Sequence, residues 1–214
     1  MKLLLFDEAQ KLLRDYHLPE TKTRIFTSCR EAKRFAQRLG FPVVLKVYSS
    51  FVLHRTERGE VAASIDNQLA FDQAWRKLVP SLKESAQAGL LVQKKEKGLE
   101  LAVGMKRDPQ FGPVIMFGLG GVLIEIFKDI SLRIAPVSQP TAREMIKEIR
   151  AYPLLVGFRG RKPIGKKKLA AILVQLSRLS FDHPELKEID FNPIMADGQR
   201  IKIVDAKFLI NEKS

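Results

Sequence analysis

Residues 98–136 read GLELAVGMKRDPQFGPVIMFGLGGVLIEIFKDISLRIAP, and this stretch decides the fold class. Short apolar and β-branched runs alternate in it with glycine, proline and aspartate, a pattern typical of successive strands joined by tight turns. We predict strands at Leu99–Lys106, Pro113–Phe117, Val122–Phe127 and Ser131–Ala135. The glycine-rich residues 118–121 supply the turn between the second and third strands, because glycine adopts positive φ without steric cost.

Helices and further strands flank this block on both sides. On its N-terminal side the patterns predict helix Leu4–Tyr16, strand Thr23–Thr27, a helix from a Ser28–Glu31 capping box to Gly40, strand Pro42–Tyr48, helix Ala70–Leu82 and strand Leu90–Gln93. On its C-terminal side they predict helices Thr141–Ala151 and Lys167–Phe181, then strands Glu188–Ile194 and Arg200–Ala206 joined by an Asp197–Gly198 hairpin. The mixture predicts an α+β protein.

The composition excludes several classes of protein. With 45% hydrophobic and 29% charged residues, the 214-residue chain is not expected to be disordered or fibrous, and its length suits one large domain or two small lobes. Cys29 stands alone, which excludes an intramolecular disulfide and a multi-cysteine zinc site. No apolar stretch is long enough to span a bilayer, and acidic residues interrupt the apolar start MKLLLFDEAQ. We therefore expect a cytoplasmic protein with no membrane segment.

The chain carries a formal net charge of +13. Such an excess favours polyanionic partners, because clustered Lys and Arg release phosphate counterions on binding. The densest basic stretch covers residues 157–168. It either contacts nucleic acid or is a solvated loop leading into a helix, and the second interpretation is the more common one for a charge run.

The common phosphate-loop, dinucleotide and hydrolase motifs are absent from the sequence, but a few polar residues stand out. Lys46 interrupts an apolar strand, where it either meets an anion such as phosphate or points to solvent. Asp190 and Asn192 share one strand face, and Asp205 lies on the partner strand; they form either a Mg²⁺ site or an exposed polar hairpin face. His54 lies in a polar loop, where it is either a nucleophile or merely solvated.

Six segments together resemble one family. They are PVVLKV (42–47), LHRTERGEV (53–61), GLELAVGMKRDPQFGPVIMFGLGG (98–121), FKDISLRIAP (127–136), YPLLVGFRGRKP (152–163) and EIDFNPI (188–194). The resemblance, from about Leu12 to Leu209, is to the ATP-grasp chain of ADP-forming acetyl-CoA synthetase, an acetate–CoA ligase, with succinyl-CoA synthetase as a more distant relative. It implies an ATP-grasp fold of two α+β lobes with the nucleotide cleft between them, divided into an N-terminal helix (1–18), a first lobe (19–93) and a second lobe (94–214).

The same resemblance implies a reaction and a partner. The family converts acyl-CoA, ADP and phosphate into the free acid, CoA and ATP by way of phosphohistidine. This chain would be the nucleotide-binding subunit, with ATP or ADP and Mg²⁺ as ligands, and active only with a CoA-binding α subunit that carries the first phosphohistidine. A hetero-oligomer is therefore expected, whereas membrane and nucleic-acid partners are not.

The family motifs also assign roles to single residues. By resemblance, nucleotide contacts go to Lys46, Gly59, Lys94 and Glu100, the Mg²⁺ ligands are Asn192 and Asp205, and His54 accepts the phosphoryl group near the nucleotide.

Two departures from the family pattern leave alternatives open. The family loop H-K-S-D-x-G-G ends in two glycines, whereas this chain has Gly59–Glu60, and Lys94 stands where an acidic residue is usual. The chain could accordingly keep the fold as a binding or regulatory protein with weakened phosphoryl transfer. A basic nucleic-acid-binding module around Arg159–Lys168 is a further alternative, which nucleotide-dependent thermal stabilisation would separate from the other two.

Overall fold

The computed structural model describes residues 1–48, 61–84, 88–121, 126–160 and 162–211. They form two compact units: the continuous segment Thr21–Glu96, and a larger unit that combines Met1–Glu20 with Lys97–Ser214. The chain passes from one unit to the other after Glu20 and after Glu96, whereas the predicted boundaries follow residues 18 and 93. The segment 1–18, which we named as an N-terminal helix apart from the two lobes, belongs to the larger unit.

The described elements follow one another along the chain. The strands are β1 Lys2–Leu3, β2 Thr23–Phe26, β3 Val43–Tyr48, β4 Val61–Ile65, β5 Gly89–Lys94, β6 Leu99–Asp108, β7 Gly112–Leu119, β8 Ile130–Ile134, β9 Leu186–Asp197, β10 Arg200–Ile203 and β11 Lys207–Ile210. The helices are α1 Phe6–Asp15, α2 Cys29–Leu39, α3 Gln68–Leu78, α4 Gln139–Glu148, α5 Tyr152–Leu155 and α6 Lys166–Asp182. Among these helices, none combines the length and the apolar character needed to cross a membrane.

The smaller unit is an antiparallel sheet in the order β2-β5-β3-β4, on which α2 and α3 pack. Phe71, Trp75 and Leu78 follow helical spacing on α3 and are buried against Leu45 and Val92 of the sheet. Burial of side chains of this size stabilises a fold by about 1.5–3 kcal/mol each. This apolar face explains why residues 68–78 form a helix in this place.

The larger unit is an antiparallel sheet in the order β1-β11-β9-β6-β7-β8, with β10 paired to β9. Helices α4 and α6 pack on one face, where Leu101 and Val103 of β6 meet Leu169 and Leu173 of α6. Because strand side chains alternate between faces, Glu100 and Lys106 lie on the opposite face and are exposed. We call this opposite side the open face.

Strand β9 contains one more residue than β6 in their shared ladder. Leu101 pairs with Ile194 and Val103 with Phe191, so two residues of β9 stand where β6 has one. The two residues that stand opposite Ala102 are Asn192 and Pro193. Such a bulge locally bends a strand and changes the direction of its side chains, and it falls here on a predicted site residue.

Three local predictions differ from the structure. Ser28 is the N-cap of α2 but its side chain makes no capping hydrogen bond, so the expected capping box does not form. Residues 122–125 lie outside the described part of the chain, and Ile126 and Phe127 are helical rather than extended. The last predicted strand is divided, because β10 ends at Ile203 and β11 begins at Lys207.

Candidate functional site

A glycine pair at the end of β7 brings two predicted site residues together. The amide of Gly120 donates to the carbonyl of Glu100, at 2.9 Å. The amide of Gly121 donates to Oδ1 of Asn192, also at 2.9 Å, although the two residues are 71 positions apart. This turn therefore links β6, β7 and the bulge of β9 at one end of the larger sheet.

Both positions require glycine for a structural reason. Gly121 has φ +61°, a conformation that L-residues rarely adopt, and a Cβ there would overlap the carboxylate of Glu100. A Cβ on Gly120 would lie 2.6 Å from the backbone of Leu101. The sequence accounts for these glycines by turn geometry alone and does not reveal their contacts with site residues. The doublet at a strand end was the only available signal.

Asp205 lies in the irregular segment between β10 and β11, beside the β9 bulge. Ile203 pairs with Ile194 and Lys207 with Asp190 in the same register, which sets Asp205 opposite Asn192. The register continues past β10, because the amide of Val204 donates to the carbonyl of Pro193 at 3.1 Å. The predicted pair of Asn192 and Asp205 is thus adjacent, although Asp205 is not on a strand.

The electrostatic environment near this pair is negative. Burial raises the pKa of Asp190 to about 6; Lys207 acts to lower it, whereas the charges of Asp205 and Glu188 raise it further. Three neighbouring carboxylates, of Asp190, Asp205 and Glu188, form a region that attracts cations. Beside Asp190, on the open face, lies a hollow of about 450 Å³ that Lys106, Met116 and Glu188 help to line.

The donors at this end of the sheet suit a hard divalent cation. An amide oxygen of Asn192 and a carboxylate of Asp205 are the ligand types that Mg²⁺ takes, with water and substrate phosphate completing an octahedron. Groups of three or more His, Cys, Asp or Glu side chains in metal-binding proximity do not occur in the described ranges. Mg²⁺ in nucleotide sites commonly uses only one or two protein ligands, so the donor set fits such a site.

Lys46 lies in the middle of β3, in the smaller unit. Its neighbours Leu45 and Val47 point into the core, so alternation directs the half-buried Lys46 side chain to the other face of the sheet. The strand charge noted in the sequence therefore does not enter the apolar core.

Lys94 ends β5, and its ammonium group is engaged within the smaller unit. Nζ donates to the carbonyls of Gly40, at 2.6 Å, and Phe41, at 3.3 Å, and so satisfies the turn that follows α2. Its assignment to nucleotide binding stays a prediction. His54 and Gly59, also predicted as site residues, lie outside the described residues.

Known proteins match the chain over nearly its whole length. The ATP-grasp domain family matches residues 1–210. The β subunit of acetate–CoA ligase (ADP-forming) I from Pyrococcus furiosus is 39% identical over 212 residues, which cover 97% of this chain and 91% of that subunit. A 4-hydroxybutyrate–CoA ligase (ADP-forming) from Nitrosopumilus maritimus is 36% identical over 95% of this chain, which spans only 30% of that longer protein.

A solved structure shares the fold. It is an acetyl-coenzyme A synthetase from Candidatus Korarchaeum cryptofilum in complex with coenzyme A and Mg-AMPPCP, with its phosphohistidine segment pointing towards the nucleotide-binding site. The TM-score is 0.86 at 39% identity, over 98% of this chain and 93% of that one. The predicted α+β fold of the ATP-grasp type is confirmed. The chain belongs to the ATP-grasp domain family, and within it to the nucleotide-binding parts of ADP-forming acyl-CoA synthetases.

Proposed function

We propose that this chain binds the nucleotide and its Mg²⁺ for an ADP-forming acyl-CoA synthetase through the cluster at the end of the larger sheet. The observation that carries the proposal is the Gly121–Asn192 hydrogen bond, which holds Asn192 beside Glu100 and opposite Asp205. Asn192 and Asp205 would hold Mg²⁺, and Glu100 would contact the nucleotide. Lys46 is proposed as a contact to phosphate in the smaller unit.

The proposed chemistry is a phosphoryl transfer in two directions. In ATP synthesis, the terminal phosphate oxygen of ADP attacks the phosphorus of phosphohistidine; the new P–O bond forms as the N–P bond breaks, and the imidazole leaves with the electron pair. Mg²⁺, when bound, would neutralise the charge that develops on the transferring group. We propose His54 as the histidine that carries or hands on the phosphoryl group in this chain.

The overall reaction needs groups beyond those proposed for this chain. We propose that acyl-CoA, ADP and phosphate give the free acid, CoA and ATP only when a CoA-binding α subunit with its own phosphohistidine is bound. Support comes from the Pyrococcus relative, which is named a β subunit, and from the Nitrosopumilus relative, of which this chain spans less than a third. The acids named for these relatives differ, which supports placing acid selection on the partner.

Calorimetry tests the nucleotide site. MgADP is titrated into the parent chain, Asn192→Ala and Asp205→Asn, with Asp197→Asn as the control because Asp197 is an exposed residue of the β9–β10 hairpin. We expect at least tenfold weaker binding for both site variants, the loss typical of one charge-assisted contact, and parent affinity for the control. Parent affinity in both site variants would refute the assignment.

The catalytic proposal is tested in the complex with the α subunit. We expect the isolated chain to form no ATP from acyl-CoA, ADP and phosphate, and the reconstituted complex to do so. His54→Ala should abolish turnover and leave MgADP affinity unchanged. Turnover by the chain alone would contradict the need for an α subunit. Turnover at the parent rate in the complex with His54→Ala would contradict the role of His54.

A further inference from the structure

The smaller unit has a basic hollow that the proposed function does not use. It lies where α2 meets the edge strand β2 and has a volume of about 590 Å³. Its lining consists of Arg24, Phe26, Glu31, Arg34, Gln37 and Arg38. Residues 31, 34 and 38 share one side of α2, and residues 24 and 26 share one face of β2, so regular structure positions the whole set. We call this feature the arginine hollow.

The three guanidinium groups of the arginine hollow have no ion-pair partner within the described part of the chain. On the same helix, by contrast, Lys33 pairs with Asp72 at 2.6 Å. Glu31 is the single carboxylate in the lining. Three positive charges therefore face one negative charge, and an anion bound among them would relieve their repulsion.

Two aromatic rings restrict the arginines without using their donors. The guanidinium carbon of Arg24 lies 5.5 Å from the ring centre of Phe26, and that of Arg38 lies 6.0 Å from the ring centre of Phe35. A ring contact of this kind takes up none of the N–H donors of a guanidinium group. The donors stay available, and less side-chain freedom is lost when a ligand binds.

The arrangement selects the kind of anion. Guanidinium groups bind phosphate oxygens in bidentate fashion, and three of them lining one hollow supply donors for two linked phosphate groups. The lining of three arginines and one glutamate keeps a net positive charge, and because Coulomb attraction grows with the charge of the ligand, it favours a multiply charged anion over a singly charged one. The side-chain amide of Gln37 adds a neutral donor. We propose that the arginine hollow binds the diphosphate group of a small ligand, a chemistry shared by nucleotides and coenzyme A.

The test titrates inorganic pyrophosphate into the full chain, by calorimetry and by NMR of the arginine side-chain nitrogens. The double variant Arg34→Gln/Arg38→Gln is compared with Arg30→Gln/Arg178→Gln, which removes the same charge from exposed arginines outside the lining. We expect binding about 100-fold weaker in the first variant, tenfold for each charge-assisted contact, and at most a twofold change in the control. No binding to the parent chain at millimolar pyrophosphate, or equal losses in both variants, would overturn the proposal.

Further titrations identify the source of the diphosphate and separate this site from the proposed nucleotide site. Displacement of pyrophosphate by ADP or by coenzyme A that depends on Arg34 and Arg38 would support the proposal and name the ligand. Asn192→Ala should leave pyrophosphate binding to the arginine hollow intact, so the experiment can refute either site's proposal without refuting the other. Arginine-dependent binding of polyglutamate without pyrophosphate binding would mean a docking surface for an acidic protein, and the proposal would be wrong.

Discussion

The substitution Gly121→Ala tests whether the glycine pair shapes the nucleotide site. Gly121 has φ +61°, and an added Cβ would overlap the Glu100 carboxylate. Gly112 is a matched control, because it has φ +74° and nothing lies within 4 Å of its would-be Cβ. Replacing either glycine by alanine should lower the free energy of unfolding by about 1 kcal/mol, because alanine is strained in the left-handed backbone conformation. At Gly121 it also displaces Glu100 from its rotamer, which adds about 1 kcal/mol.

These magnitudes translate into measurable shifts. For a chain of this size, about 1 kcal/mol lowers the thermal midpoint by roughly 2–4 °C, so we expect about 2–4 °C for Gly112→Ala and about twice that for Gly121→Ala. Calorimetry should show MgADP binding about tenfold weaker for Gly121→Ala, because the added Cβ displaces the Glu100 carboxylate, a proposed nucleotide contact, and unchanged for Gly112→Ala. If Gly121→Ala binds MgADP like the parent chain, the glycine pair does not form part of the nucleotide site.

Three further substitutions test contacts that support the two units. Lys94→Met should lower the free energy of unfolding by about 1.5–3 kcal/mol, because two backbone carbonyls of the turn after α2 lose their charged donor. The control Arg178→Gln, on the exposed side of a helix, should lower it by under about 0.5 kcal/mol; urea unfolding measures both. Arg107→Gln should lower the urea midpoint more than the same control, because its guanidinium donates to the carbonyls of Ser180 in α6, His183 just after it and Leu186 of β9. Burial, with a hydrogen bond to the carboxylate of Asp182, raises the pKa of Tyr16 to about 12. Because that pKa is higher in the folded chain than in the unfolded one, the contribution of Tyr16 to the free energy of unfolding is complete below about pH 10 and falls as the pH rises towards 12. Unfolding measured across this pH range should show the fall in the parent chain and not in Tyr16→Phe.

Local chemistry let the sequence predict most of the elements. Helical spacing identified α1, α2, α3 and α6. The Asp197–Gly198 signal predicted the β9–β10 hairpin, but the turn is one residue later, at Gly198–Gln199, because Asp197 pairs with Arg200. The adjacency of Asn192 and Asp205 followed from that hairpin. The resemblance supplied the fold, which local patterns by themselves left at the level of an α+β protein.

Only the tertiary structure decided the contacts that no local pattern encodes. The hydrogen bond of Gly121 to Asn192 spans 71 residues and depends on the bulge in β9, which has no periodicity to reveal it. The Lys94 ammonium is held by carbonyls of a turn more than fifty residues earlier, so its charge alone could not indicate its role. Short-range patterns reflect the steric and capping preferences of neighbouring residues. The register between strands, and hence the composition of the site, depends on how distant segments pack on a shared core.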